Sequence, residues 1–139
     1  MATLSVRHAP ASAAIARRNV ADALQRAGLT ADQAFDAALI ASELVGNAVR
    51  HGRALPSGEI TVEWQLSAEG YYIAVTDGGN SPGVAPKETD VLATNGRGLM
   101  IVAALTQEWG VLNHGNTTTV WAQASLASDA ASQHSLQSI

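Results

Sequence analysis

The stretch SELVGNAVRHG (residues 42–52) sets three polar side chains, Glu43, Asn47 and His51, four residues apart in an otherwise apolar run. On a helix, positions i and i+4 lie about 40° apart in rotation and about 6 Å apart along the axis. Glu43 and Asn47 therefore share a face, with His51 one turn further along. Phe35, Ala38, Leu39, Val45 and Val49 supply an apolar side elsewhere on the same helix. The polar line must then face water, a partner or a ligand. As a solvated stripe it has no further meaning. As a site, a carboxamide at 47 suits a magnesium ion, which takes one or two protein oxygens and fills its shell with phosphate and water. A carboxylate at 43 suits removal of a proton from an attacking hydroxyl. His51 reads as a helix-end residue, where a cation is favoured.

The helix has clear limits. Thr30 with Gln33 forms a capping-box pattern, and Gly52 ends the run. Before it, TLSVR (3–7) alternates as a short strand. Pro10 and Ser12 then open an alanine-rich helix with Ile15, Val20, Ala23, Leu24 and Ala27 at roughly helical spacing, stopped near Gly28. After it, EITVEWQL (59–66) alternates Ile60, Val62, Trp64 and Leu66 against polar residues, SAEG turns the chain, and YYIAVT returns, which predicts a β-hairpin. Residues 77–95 are irregular; so long a loop in a compact domain points to function or disorder. A helix follows through LMIVAALTQ (99–107), then two strands, WGVL and TTTVWAQA, joined by NHGN. The last residues, 125–139, lack an apolar pattern and read as a disordered tail. This order predicts a two-layer α+β sandwich, with one domain over 1–124.

Composition narrows the classes. The chain has 139 residues, a formal charge of −4 and no cysteine. Disulfide scaffolds and thiolate metal sites are excluded. No apolar run is long enough for a membrane span, and the N-terminus is too polar for a signal-peptide core, so a soluble cytoplasmic protein is expected. Arg17, Arg18, Arg50 and Arg53 have no interleaved aromatics for base stacking, and the acidic balance disfavours nucleic acid. Trp64, Trp109 and Trp121 fall in strand patterns as core or interface residues. His8 and His114 read as exposed turn residues.

Two glycine boxes remain. In VTDGGNSPG (75–83), an aspartate before glycines at a strand end is either a turn or an acceptor-only group that could read an exocyclic amine, with Gly79 leaving room for a ring. In NGRGLMIV (95–102), two glycines open a helix whose free amides suit an anion. A dinucleotide fingerprint fails because Ile101 stands where a third small residue belongs. A Walker loop fails because the only lysine, Lys87, lacks the glycines before it.

E-x-x-x-N on a helix, D-x-G after a hairpin strand and G-x-G opening a helix, in this order, resemble the Bergerat-fold (GHKL) ATPases, the superfamily of gyrase, histidine kinases and mismatch-repair proteins. The wording SELVGNAVRHG, VTDGG and GRGLMIVAAL is most similar to the anti-sigma factor serine/threonine kinases of the small stand-alone actinobacterial type, over roughly residues 4–124. The resemblance implies a mixed, mostly antiparallel sheet with helices on one face, and ATP with Mg2+ as the bound nucleotide. It implies Asn47 as magnesium ligand and Glu43 as general base. It implies Asp77 on the adenine amine with Gly79 giving the ring room, and Gly96, Arg97, Gly98 and Leu99 around the phosphates. Residues 80–95 would be the ATP lid, and Thr118 would stand near the adenine; Thr117 occupies the position before it where the family usually has glycine. The implied partner is an anti-sigma factor antagonist protein that accepts phosphate on serine; direct binding of a sigma factor and a homodimer are further family traits. The competing expectation is a nucleotide-gated protein-binding switch with little or no kinase activity.

Overall fold

In the computed structural model, residues 1–79 and 96–126 are described, with the backbone alone for 96–98. The expected ATP lid, 80–95, and all but the first two residues of the expected 125–139 tail lie outside the described residues. The elements run β1 (Ala2–Arg7), α1 (Ser12–Arg26), α2 (Ala31–His51), β2 (Glu59–Leu66), β3 (Gly70–Asp77), α3 (Gly96–Leu105), β4 (Glu108–His114) and β5 (Thr117–Ser125). The strands form one sheet in the order β1-β2-β3-β5-β4. Every pairing among them is antiparallel, so no described strand supplies the parallel member that a mixed sheet allows. β5 runs to Ser125, and Leu126 donates its amide to the Glu69 carbonyl at 2.9 Å and packs against the core.

The predicted local signals act as their chemistry requires. The Thr30 hydroxyl accepts the Gln33 amide at 3.1 Å, and the Gln33 side chain accepts the Thr30 amide at 2.9 Å, so both arms of the capping box close. The alternation in β2 buries Ile60, Val62 and Trp64 on one face, with Val62 opposite Val75 and Trp64 opposite Ile73 on β3 in the same core. The other face carries polar residues, with Thr76 and Thr119 hydrogen-bonded across it at 2.7 Å. Trp121 also lies there, stacked on Tyr72 with ring centroids 6.4 Å apart. Trp64 is buried and Trp109 packs against the core.

The helix faces correct the expectation in one respect. Phe35 is 51% exposed and Ile15 38%, while the buried stripes are Ser12, Ala16, Val20 and Leu24 on α1 and Ala34, Ala37, Ala38, Ile40, Ala41, Leu44, Val45 and Ala48 on α2. Small side chains occupy the seam, and they let the two helices lie close together. Phe35 turns outward, where the Arg17 guanidinium sits 5.0 Å from its ring centroid. No described helix is long and apolar enough to cross a membrane.

The topology decides where chemistry can gather. The β3–α3–β4 connection skips one sheet position, and β5 fills it. The C-terminal end of β3 therefore meets the N-terminal end of β5, with Asp77 directly opposite Thr118.

Candidate functional site

Asp77 ends β3 on its core-facing side and is only 5% exposed. Its Oδ1 accepts the Gly79 amide at 2.6 Å, so the carboxylate closes its own turn. Burial pushes its pKa up from 3.8 to about 6, opposed by the Gly79 amide and by the nearby His8. Gly79 sits at φ +81, where a side chain would be strained, and a Cβ there would come 2.9 Å from the Asn116 carbonyl and 3.8 Å from the Thr118 hydroxyl. Thr118 is 7% exposed. Asp77, Gly79 and Thr118, expected to act together, therefore do converge.

The end of α2 is fastened to this turn. Gly78 donates its amide to the Arg53 carbonyl at 2.7 Å, and Arg53 donates back to the Gly79 carbonyl at 2.9 Å. Gly52 has an ordinary φ of −102, so its role is not that of a left-handed cap. A Cβ on it would overlap the Asp77 carboxylate. Its carbonyl accepts from Nε2 of His8 at 2.9 Å, which ties the β1–α1 connection to the same place. His8 is thus half-buried and bonded, unlike the exposed turn residue expected; His114 is exposed as expected. Gly52 was legible only as a helix stop, because its close neighbour is 25 residues away in sequence.

Gly52→Ala is expected to lower stability by about 1–3 kcal/mol, the usual cost of overpacking a filled site. Urea unfolding reads this as a lower midpoint at unchanged slope. A parental midpoint would mean that the Asp77 turn shifts without cost.

Asn47 is 4% exposed and Glu43 half-buried, so the line on α2 is not a fully solvated stripe. The C-terminal half of the line differs from expectation. His51 has an inaccessible Nε2 with no hydrogen-bond partner among the described residues. Burial, then the adjacent Arg50, holds its pKa below 6.5. Both influences work against a cation at this helix end, so they oppose the favoured-cation reading.

α2 packs against both β3 and α3. α3 begins at Gly96, inside the glycine box rather than after it, so the box supplies the first turn, whose amides have no intrahelical acceptor. Gly96, Arg97 and Gly98 stand there. Leu99 is fully buried with Val102 in the core, which leaves only its backbone to face an anion.

These residues suit a purine nucleotide: a buried acceptor beside two glycines, and a helix start for phosphate. Among the described residues no group of three or more His, Asp or Glu could hold a metal. A magnesium carried largely by phosphate and water needs no such group.

A family model described as histidine kinase-like ATPase domain matches residues 6–124. No curated protein matches in sequence. Among solved structures, the RsbU and RsbW domains of Rv1364c from Mycobacterium tuberculosis superpose with a TM-score of 0.66 at 22% identity, over 89% of this chain and 32% of that one. The likeness to that structure is one of fold, and this chain spans about a third of its length.

Proposed function

This chain belongs to the histidine kinase-like ATPase domain family, and from that premise we propose that it binds ATP with Mg2+ and transfers the γ-phosphoryl group to a serine or threonine of an anti-sigma factor antagonist protein. The observation that carries the reading is the buried Asp77 carboxylate, held between Gly52 and Gly79 opposite Thr118. Burying a carboxylate costs stability, and an acceptor kept in that state is suited to read a ligand's donor. In this reading Asp77 takes the adenine amine, and Gly79 and Thr118 flank the ring. The Gly96–Leu99 turn, with Arg97, receives the phosphates, and Asn47 ligates the metal. Magnesium, when bound, supplies charge neutralisation at the phosphates. Glu43, one turn from Asn47, takes the proton from the attacking hydroxyl.

The wording of SELVGNAVRHG, VTDGG and GRGLMIVAAL supports the anti-sigma setting as a direction for partners. An antagonist protein that receives phosphate is the first partner, and a sigma factor the second. The test is incubation with labelled ATP, magnesium and a candidate antagonist. Label on the partner supports the kinase. An ATP-dependent complex without label supports a nucleotide-gated switch instead. In the same preparation, Asn47→Ala is expected to weaken ATP binding about tenfold or more with magnesium present, and to change it little in chelator, as loss of a bond to a charged group implies. Equal weakening in both conditions would remove Asn47 from the metal.

A further inference from the structure

The two outer members of the Asp77–Thr118 pair are not alone on their row. Thr118 stands directly opposite Asp77 on β3 and directly opposite Asn113 on β4. Two residues inward on the same face the row is Val75 and Val120, flanked by Val111, all part of or packed on the core. The row Asp77–Thr118–Asn113 is thus the polar border of an apolar sheet face. Same-face neighbours on adjacent strands are close enough to interact directly, and here they do: the Thr118 hydroxyl donates to Oδ1 of Asn113 at 3.1 Å.

That bond settles what Thr118 can offer. A hydroxyl has one proton and two lone pairs. With the proton on Asn113, Thr118 presents lone pairs only. An ionised Asp77 is acceptor-only as well. Both face the space beside Gly79, since a Cβ on Gly79 would lie 3.8 Å from the Thr118 oxygen and the Gly79 amide already binds Asp77. Among the described residues, two acceptors and no mobile donor meet at one place. A 6-amino purine brings protons to it. A 6-oxo purine sets its oxygen's lone pairs against theirs at the same position, an arrangement that leaves buried polar groups unpaired.

We infer that Asn113 is a specificity-determining residue: by holding the Thr118 proton it makes the base site accept a 6-amino purine and reject a 6-oxo purine. The inference rests on the nucleotide reading above and adds to it a residue that acts through Thr118. With the Asn113 acceptor removed, the Thr118 hydroxyl is free to rotate and donate to an oxo group.

The test measures ATP and ITP affinities, each with magnesium, by titration calorimetry. The parental chain is expected to prefer ATP. In Asn113→Ala that preference narrows by roughly 3–10-fold, the worth of one ordinary hydrogen bond, chiefly through tighter ITP binding. Asn113→Asp, whose carboxylate must also accept, retains the preference, because its added charge acts equally on both nucleotides. In a Thr118→Val background, Asn113→Ala changes the preference no further. A merely structural Asn113 would weaken both nucleotides together and leave their ratio unmoved. An unchanged ratio in Asn113→Ala, or an equal narrowing in the Thr118→Val background, overturns the inference and leaves the nucleotide reading standing. A parental chain that binds neither nucleotide overturns that reading and the inference with it.

Discussion

Asp77→Asn is expected to make the nucleotide-free protein more stable and a much poorer ATP binder. The two effects have one origin. The carboxylate is 5% exposed, and burial raises its pKa from 3.8 to about 6. Between those values the folded state holds a proton that the unfolded chain has released. Stability therefore falls as pH rises through that window, and the loss is complete above about pH 6. The interval corresponds to a destabilisation on the order of 2–3 kcal/mol at neutral pH. An amide of the same shape keeps an oxygen for the Gly79 amide and carries no charge to desolvate. The variant is expected to melt higher than the parent at pH 7, to match it near pH 4, and to lose most of the pH dependence between. Its nitrogen, though, presents protons where the carboxylate presented lone pairs. A donor then faces the adenine amine, and a charge-assisted bond worth about 1.5–3 kcal/mol is lost, or about 10–150-fold in affinity. Thermal unfolding across pH 4–7 and ATP titration at pH 7.5 read the two arms. Unchanged ATP affinity would detach Asp77 from the base. An unchanged pH slope would place the buried charge elsewhere.

The opposed signs separate a site residue from a packing residue, and they bear on what a sequence can disclose. Elements with a local cause were legible: the Thr30–Gln33 capping box, the alternation of β2, and the hairpin through SAEG. Asp77, Gly79 and Thr118 were legible as a set only through resemblance to a family, since their convergence depends on β5 entering the sheet beside β3. Three features had no local signal. Gly52 looks like any helix stop; only the fold puts Asp77 against its Cα. His8 looks like a turn residue until the end of α2 supplies a carbonyl for its Nε2. Asn113 lies near a turn rich in Asn, His and Gly, where its type is unremarkable, and its meaning comes from the strand opposite. The helix faces failed for a different reason. Hydrophobic size favoured Phe35 and Ile15 for the core, whereas close helix packing selects alanines, whose small side chains carry little weight in an apolar pattern.

Glu43→Gln is expected to reduce phosphoryl transfer by about 10²–10⁴-fold, the usual contribution of a positioned general base, with ATP affinity within about twofold of the parent. The expectation follows from position and chemistry. Glu43 lies one turn before Asn47 on the same face of α2, a helix fixed at one end by its capping box and at the other by the Gly52 contact with Asp77. A residue there is held on a rigid element, as a base must be when positioning supplies much of the rate. Asn47 is the deeper of the two and Glu43 the more accessible, at half-buried. That order suits a metal ligand beneath the phosphates and a base within reach of an incoming hydroxyl. Glutamine keeps the length and hydrogen-bonding oxygen of the side chain but cannot take up a proton. Loss of transfer with binding intact would therefore isolate proton removal from nucleotide capture. Single-turnover transfer from labelled ATP to the antagonist partner, beside calorimetric binding, makes the comparison. Transfer at the parental rate would exclude Glu43 as the base. A matched loss of binding and transfer would assign it to holding the nucleotide.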